Sequence, residues 1–187
     1  MKDKVFLKGT LMLAPVPVAL VACAHKELGK NLLTIAWCGV DCSDPPIIHV
    51  SIRPERYSYR MIEEGGCFTV NLPVSDLLME VDLCGTVSGR EGDKFKRSGL
   101  TPIAASKVSA PLVAECPVNI ECELRKVVPL GLHTMFLGEI VAKHADAQCI
   151  KKGSIDFDEL PLIAYVSGEY WSLGKRIGRY GCSGGRV

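Results

Sequence analysis

Asn-Leu-Leu-Thr-Ile-Ala-Trp-Cys-Gly, residues 31–39, begins the stretch that decides the fold. It continues with Pro-Pro-Ile-Ile-His-Val-Ser-Ile-Arg-Pro-Glu-Arg-Tyr-Ser-Tyr at 45–59 and ends with Cys-Phe-Thr-Val-Asn at 67–71. Two apolar, β-branched runs, Leu32–Trp37 and Ile47–Ile52, flank a turn-forming segment at 41–46. This pattern predicts two strands joined by a loop, followed by a third strand at 67–71.

The second run leads directly into Pro54, a residue favoured at the first position of a helix. Tyr57 and Met61 have the four-residue spacing of one helical face, as do Ser58 and Ile62. A helix over 54–64 is therefore predicted, and the Gly-Gly pair at 65–66 would end it.

This strand-to-helix junction predicts an anion site. Ser51 and Arg53 share a strand face, and the first helical turn would bring Ser58 and free N–H groups close to them. Arg53 and Arg56 lie at the end of the helix dipole that disfavours cations, so a phosphate between them would explain their placement. The alternative, that both arginines are solvated and loosely paired with Glu55 and Glu63, stays open.

Length and composition indicate one globular domain over residues 1–187, and its glycine-rich tail is expected to be mobile. The chain is 48% hydrophobic and 23% charged, with a net charge of +1, which does not indicate nucleic-acid or membrane binding. The apolar run Leu11–Ala24 is broken by Pro15 and Pro17, so we expect a strand in a cytoplasmic protein.

Nine cysteines are scattered along the chain without any Cys-x-x-Cys spacing. The odd number and the spacing argue against a disulfide framework and against a zinc or iron–sulfur site. Cys67 and Cys122 fall in predicted strands and Cys84 on an apolar helix face, where a thiol acts as a small hydrophobe. Cys38 and Cys42 are exceptions because they border the predicted anion site.

The rest of the chain is mostly strand. The patterns predict strands at 15–24, 160–165 and 169–174, a hairpin of 117–128 with 130–143, a helix from Ser75 to Gly85, and loops at 88–99 and 148–159. Seven or more strands against two or three helices predict a mainly β fold, a closed antiparallel barrel with flanking helices.

The ordered set of motifs resembles the flavin reductase-like family, and within it the flavoredoxins. The resemblance rests on Asn31-x-x-Thr34-x-Ala36-Trp37, on the Val-Ser-x-x-Pro-x-Arg-Tyr-Ser turn at 50–58, on Phe-x-Val-Asn, on Ser88-Gly-Arg-Glu-Gly-Asp-Lys-Phe and on the strand at 130–139. It covers residues 10 to 175 and implies a split β-barrel that binds FMN and forms a homodimer.

The resemblance also implies a cofactor site. The phosphate would lie on Ser51, Arg53 and Ser58, and the flavin ring edge would lie along the backbone of residues 34–37 with Trp37 as an apolar wall. The predicted FMN-binding residues are Asn31, Thr34, Ile35, Ala36, Trp37, Ser51, Ile52, Arg53, Tyr57, Ser58, Lys94, His133 and Tyr170. No catalytic acid or base is predicted, because the flavin carries the electrons.

Three of these residues also have plainer interpretations. Lys94 alone would be a solvated cation, but the resemblance places it at the flavin, where it would raise the reduction potential. His133 alone would be a core histidine, and Tyr170 would be packing at the barrel end. The resemblance places both near the flavin.

Three functions are compatible with the sequence. The first is an FMN-holding electron carrier that exchanges electrons with a redox partner protein. The second is a flavin reductase that uses NAD(P)H and treats FMN as a substrate. The third is a flavin-binding module without redox function.

Overall fold

The computed structural model describes residues 3–6, 8 and 13–184. Three α-helices, α1 Tyr57–Gly65, α2 Leu78–Thr86 and α3 Lys94–Ser98, accompany a mainly antiparallel β structure. The strands are β1 Val16–Pro17, β2 Ala19–His25, β3 Gly29–Ile35, β4 Cys38–Ser43, β5 Pro46–Ile52, β6 Cys67–Leu72, β7 Pro102–Ile103, β8 Leu112–Val113, β9 Val118–Pro129, β10 Thr134–Ala145, β11 Ile150–Lys151, β12 Ser154–Ile155, β13 Ile163–Val166 and β14 Glu169–Ser172.

The main sheet has seven strands in the order β3-β2-β6-β9-β10-β5-β4. Its two edge strands, β3 and β4, are separated in sequence only by Ala36 and Trp37. Three peptide links reach at most about 11 Å, whereas the edges of a flat seven-stranded sheet would lie about 29 Å apart. The sheet must therefore curl until its edges meet at this link.

The predicted fold class is confirmed in part. The fold is mainly β with three helices, but closure of the barrel is not confirmed. Within the described residues, β3 pairs only with β2 and β4 pairs only with β5, so no ladder joins the two edges. A second sheet of three strands, β1-β13-β14, is separate from the first.

The curled sheet has apolar side chains on both faces of β2. Val21, on the inner face, belongs to the same buried cluster as Phe68 and Phe136, together with Met61 of α1. On the outer face, Leu20 belongs to a second cluster that contains residues of α2 and α3. The prediction of a first strand buried on both faces is therefore confirmed for β2, while Leu11 and Met12 lie outside the described residues.

Several predicted boundaries differ. The strand predicted at 15–24 is interrupted at Val18, and β4 occupies the first half of the segment predicted as the 41–46 loop. The helix predicted from Pro54 begins at Tyr57, because residues 53–56 form a turn in which the Arg56 N–H donates to the Arg53 carbonyl at 3.0 Å. Gly66 ends it in the left-handed conformation, as predicted.

The segments predicted as loops contain short elements. Residues 88–99 hold a 3-10 turn and α3, which the Asp93 side chain caps by accepting from Phe95 N–H at 3.0 Å. Residues 148–159 hold the β11–β12 hairpin. The helix predicted from Ser75 starts as a 3-10 turn, and α2 runs one residue past Gly85.

All nine cysteines are among the described residues and are free thiols, with Cys67, Cys84 and Cys122 buried as predicted. None of the helices in the described residues is long and apolar enough to cross a membrane. The predicted tail is largely exposed from Leu173 to residue 184, and its last three residues lie outside the described part.

Candidate functional site

A cleft of about 710 Å³ opens where the two edges of the curled sheet meet. We call it the main cleft. Its walls come from the β3–β4 link, the end of β5, the β9–β10 turn, the end of α2 and the β13–β14 hairpin. It is lined by Val18, Leu33, Thr34, Ile35, Ala36, Trp37, Ser51, Ile52, Arg53, Arg56, Gly85, Thr86, Leu132, His133, Tyr165 and Tyr170.

The β3–β4 link is fixed to the end of β5. The Ser51 N–H donates to the Trp37 carbonyl at 2.8 Å, which holds the link against the strand that carries Arg53. Thr34 is held from the other side, because its hydroxyl donates to the Val81 carbonyl of α2 at 2.5 Å. The backbone around Trp37 is therefore positioned by both neighbouring elements.

Four aromatic rings line one side of the main cleft. The Trp37 ring stacks on His133 at 6.3 Å with 13° between the planes, and meets Tyr165 edge-on at 6.1 Å. Tyr165 meets Tyr170 edge-on at 6.1 Å. We call these four residues the aromatic wall, and such a surface suits a flat, apolar ligand ring.

Two members of the aromatic wall have shifted pKa values. Burial and then the positive charge of Arg53 lower the pKa of His133, so its imidazole is neutral near pH 7. Burial, followed by the charge of Asp82 and the hydrogen bond to it, raises the pKa of Tyr170 to about 12. The Tyr170 hydroxyl donates to that carboxylate at 3.2 Å. His133 and Tyr170 are therefore uncharged at neutral pH.

The charges that line the main cleft are positive. Among the described residues that line it are Arg53 and Arg56, and none is a carboxylate. Arg53 has only a loose contact of 3.9 Å with the exposed Glu55, and Arg56 donates to the Gly85 carbonyl at 3.4 Å. The described residues leave donors of both guanidinium groups unpaired, which favours an anionic ligand.

A second cleft of about 310 Å³ adjoins the first and shares Leu33 and Arg56 with it. Its other lining residues are Asn31, Glu55, Tyr57, Ser58, Val87, Ser88, Gly89 and Lys94. The start of α1 lies here. Within the described residues no side chain caps α1, so the N–H groups of Tyr57 and Ser58 are free to bind a ligand, whereas the Tyr59 N–H donates to the Arg56 carbonyl at 3.0 Å.

Lys94 is the buried cation of the second cleft and is only 2% exposed. Its amino group donates to the Cys84 carbonyl, near the end of α2, at 2.7 Å, and this is the acceptor it has among the described residues. An ammonium has three N–H donors, so two are left for a ligand or water. Burial, opposed by Cys84 and assisted by the nearby Arg56, lowers the pKa of Lys94 to about 8.

The second cleft is closely packed around Asn31. Its amide donates to the Ser58 hydroxyl at 2.7 Å, and both residues are buried. A Cβ atom at Gly89 would lie 2.5 Å from both the Asn31 amide oxygen and the Tyr57 ring. Glycine is therefore required for the loop after α2 to approach this closely.

The structure divides the thirteen predicted residues between the two adjoining clefts. Nine line the main cleft: Thr34, Ile35, Ala36, Trp37, Ser51, Ile52, Arg53, His133 and Tyr170. Four line the second cleft: Asn31, Tyr57, Ser58 and Lys94. Ser58 is thus placed on the other side of Arg56 from Ser51 and Arg53, with which it was grouped in the prediction.

Sequence reasoning missed several lining residues. Tyr165 and Leu132 come from segments far from the motif stretch, and Gly85 and Thr86 lie at the end of α2. The β10–β5 register, which pairs Thr134 with Ile52, brings the β9–β10 turn beside Arg53. No local sequence pattern carries that information.

Cys38 and Cys42, which border the site in sequence, differ in environment. Burial raises the pKa of the Cys38 thiol to about 11, which disfavours the reactive thiolate. Cys42 is exposed, and its thiol donates to the Asp44 carbonyl at 3.2 Å. Neither lines the main or the second cleft.

Comparison with known proteins gives a consistent result. A flavoredoxin of Desulfovibrio vulgaris (Miyazaki F) is similar at 34% identity, with a TM-score of 0.91 over 98% of this chain and 100% of that chain. A flavoredoxin from Methanosarcina acetivorans is 28% identical, with a TM-score of 0.89 over 97% and 98%. Nitrilotriacetate monooxygenase component B from Bacillus cereus is 25% identical, with a TM-score of 0.83 over 89% and 88%.

The sequence family described as "Flavin reductase like domain" matches residues 11–171. This range includes both clefts and every predicted site residue. The chain belongs to the flavin reductase-like domain family.

Proposed function

We propose that the protein holds FMN in the two adjoining clefts and transfers electrons as flavoredoxins do. The observation that carries this proposal is the pair of adjoining clefts. The main cleft is wide and aromatic and has no carboxylate among its described lining residues, and the narrower second cleft contains the incompletely paired, buried Lys94. FMN as the cofactor is supported by the family and by similarity to two flavoredoxins.

The lining residues fit FMN. A cleft of about 710 Å³ lies within the usual size for cofactor sites, and the aromatic wall suits the flavin ring. The FMN phosphate would fit where the two clefts join, at Arg56. Arg53 lies there on the side of the main cleft, and Ser58 and Lys94 lie on the side of the second cleft. The free N–H groups at the start of α1 would add hydrogen bonds and the positive end of the helix dipole.

The proposed placement of the phosphate gives Lys94 a second role beside the one that the resemblance implies. The family resemblance predicts a lysine that touches the flavin ring, whereas its ammonium lies in the second cleft with Ser58 and Arg56. We propose that Lys94 acts first as an anion ligand.

When bound, FMN would supply the one- and two-electron redox chemistry, so the chain needs no acid–base pair. The residues instead bind the cofactor and limit the access of water. Trp37, at 36% exposure, covers part of the main cleft. The neutral His133 stacked on Trp37 adds no positive charge that would stabilise an anionic reduced flavin.

A flavin reductase that uses NAD(P)H is the second candidate, favoured by the description of the matched family. In that function FMN would bind reversibly as a substrate. A flavin-binding module without redox function is the third candidate. The homodimer stays a prediction.

The visible spectrum of protein freshly purified without added flavin tests the proposal. We expect a yellow protein that NADH does not bleach and that a low-potential protein donor does bleach under anaerobic conditions. Bleaching by NADH, with turnover that depends on free FMN, would establish the reductase. A bound flavin that no donor reduces would establish the third candidate, and a protein with no affinity for FMN would overturn the proposal.

A further inference from the structure

Arg90 joins the two sides of the second cleft. One side is the turn after β5 with the start of α1, where Glu55 and Tyr57 lie, and the other is the segment 87–91 after α2. The Arg90 guanidinium donates to the Glu55 carbonyl at 2.9 Å and lies 5.6 Å from the centre of the Tyr57 ring. We call these two contacts the Arg90 bridge. Arg90 itself lines neither cleft, so it acts on the second cleft from outside.

The turn that carries Arg90 packs directly against the opposite side of the second cleft. The Ser88 hydroxyl accepts from the Arg90 N–H at 3.2 Å, which fixes the turn. A Cβ atom at Gly89 would lie 2.5 Å from both the Asn31 amide oxygen and the Tyr57 ring, so the backbone leaves no gap there. None of these three residues lines the main cleft. The contact therefore closes the second cleft away from the place where the two clefts join.

The donors of the second cleft suit a phosphate at the end of a ligand. Arg56 and Lys94 line the cleft, and Lys94 has two N–H donors beyond its bond to the Cys84 carbonyl. A phosphomonoester carries about two negative charges near neutral pH and offers three terminal oxygens. A phosphate inside a diphosphate diester carries about one charge and offers fewer terminal oxygens. Two cations in a closed cleft therefore match a phosphomonoester better.

We propose that the Arg90 bridge selects FMN over FAD by keeping the second cleft closed beyond the phosphate. This inference rests on the proposed function and names a residue that determines which flavin nucleotide is bound. FAD carries an adenylate group on the phosphate with which FMN ends. That group would need a gap between the two sides that Arg90 and Gly89 hold together, and such steric exclusion is a common source of specificity. Arg90 is a positioning residue, because it acts through Glu55 and Tyr57.

The test compares the dissociation constants of FMN and FAD, measured by equilibrium dialysis of the flavin-free protein with visible absorbance as the readout. Arg90→Ala removes the Arg90 bridge, and Arg90→Lys keeps a cation beside the Tyr57 ring. The matched control is Arg97→Ala, which removes the same charge from an exposed side chain of α3. Arg97 lines neither cleft, and its contact with Glu91 is loose at 4.0 Å.

The unmodified protein should bind FMN at least about 100-fold more tightly than FAD. In Arg90→Ala this preference should fall about tenfold, because FAD binds more tightly once the two sides can separate, while FMN affinity changes little. Arg90→Lys should have an intermediate preference, and Arg97→Ala should keep the full preference.

An unchanged preference in Arg90→Ala would overturn the proposal. Weaker FMN binding with unchanged FAD affinity would also overturn it, because Arg90 would then be a phosphate ligand. An equal fall in Arg97→Ala would overturn it as well, since the cause would be net charge and not closure of the cleft.

The affinities of the unmodified protein separate failure of this inference from failure of the proposed function. If it binds FMN and FAD equally well, only the selection by Arg90 is overturned. If it binds neither flavin nucleotide, the proposed function itself fails.

Discussion

Glu121 and Lys94 are both charged and almost wholly buried, but the part of the chain that the structure describes completes the hydrogen bonding of Glu121 and not that of Lys94. The Glu121 carboxylate is 0% exposed and accepts hydrogen bonds from several donors. They are Ser106 N–H at 2.8 Å, Ser106 Oγ at 2.7 Å, Lys107 N–H at 2.6 Å, Val108 N–H at 3.1 Å and His144 Nε2 at 2.6 Å. Glu121 thus anchors the loop before β8 to the main sheet.

Lys94 presents the opposite case. Among the described residues its ammonium has the Cys84 carbonyl as acceptor, and it lies beside a cleft. A buried charge is tolerated only where partners compensate for lost water. The difference indicates that a satisfied buried charge is structural, whereas an incompletely paired one beside a cleft is part of a binding site.

Removal of the charge of Glu121 should have the largest effect. Glu121→Gln should lower the free energy of unfolding by about 3–5 kcal/mol, because an amide nitrogen would face N–H groups that now donate to a carboxylate. The measurement is urea unfolding. FMN affinity of the folded variant should be unchanged. A variant that is as stable as the unmodified protein but binds FMN more weakly would contradict the structural role of Glu121.

Acid should remove the same stabilisation. Burial opposes ionisation of Glu121, but the hydrogen bonds from Ser106, His144 and Lys107 outweigh it and lower its pKa from 4.5 to about 2. A lowered carboxyl pKa stabilises the fold above pH 4.5, so about 3 kcal/mol should be lost as pH falls from there towards 2. Unfolding curves at several pH values measure this loss. If the Glu121→Gln variant loses the same free energy of unfolding over this pH range, the loss in the unmodified protein comes from other groups.

Lys94→Met should show the opposite behaviour to Glu121→Gln. Without ligand, the protein should be as stable as before or more stable, since a desolvated charge is removed. A lysine whose pKa is lowered from 10.5 to about 8 costs stability below pH 8, and that cost disappears as pH rises from about 8 to 10.5. FMN binding should weaken by about 1.5–3 kcal/mol, the size of a charge-assisted hydrogen bond.

A flavin-fluorescence titration measures the affinity of Lys94→Met, with Lys96→Met on the exposed side of α3 as the matched control. Arg53→Ala should weaken binding by a similar amount. Unchanged affinity in Lys94→Met, or a large loss of stability without ligand, would make Lys94 structural.

The smallest expected effect is the pH dependence of FMN affinity. Because the pKa of Lys94 is about 8 and only its protonated form binds an anion, affinity should fall about tenfold between pH 7 and 9. The dissociation constant should be measured across that range. The fall should be absent in Lys94→Met, and an equal fall in both proteins would assign it to another group.

The sequence was most informative where strands are regular. The alternation in β9 and the apolar runs of β5 and β6 predicted those strands to within one or two residues. Helix α3 was missed because its five residues, rich in charge, follow a glycine-containing segment, and its stability depends on the Asp93 cap and on Phe95 in the core. Such a helix has no apolar period to detect.

The candidate site was predictable only in part, for a related reason. Residues of the motif stretch lie near each other in sequence, and nine of the thirteen predicted residues share the main cleft. The curl of the sheet decides which distant segments join them, so Leu132, Tyr165 and Gly85 could not be deduced from spacing. The separation of Ser58 from Arg53 also depends on where the turn after β5 ends and α1 begins.

The pKa of Lys94, measured by NMR of its labelled side-chain carbon with and without FMN, tests the central claim most directly. The account predicts a pKa of about 8 in the ligand-free protein and a higher pKa when FMN binds, because the phosphate completes the pairing of the ammonium. A pKa that FMN leaves unchanged would contradict it and would remove Lys94 from the site.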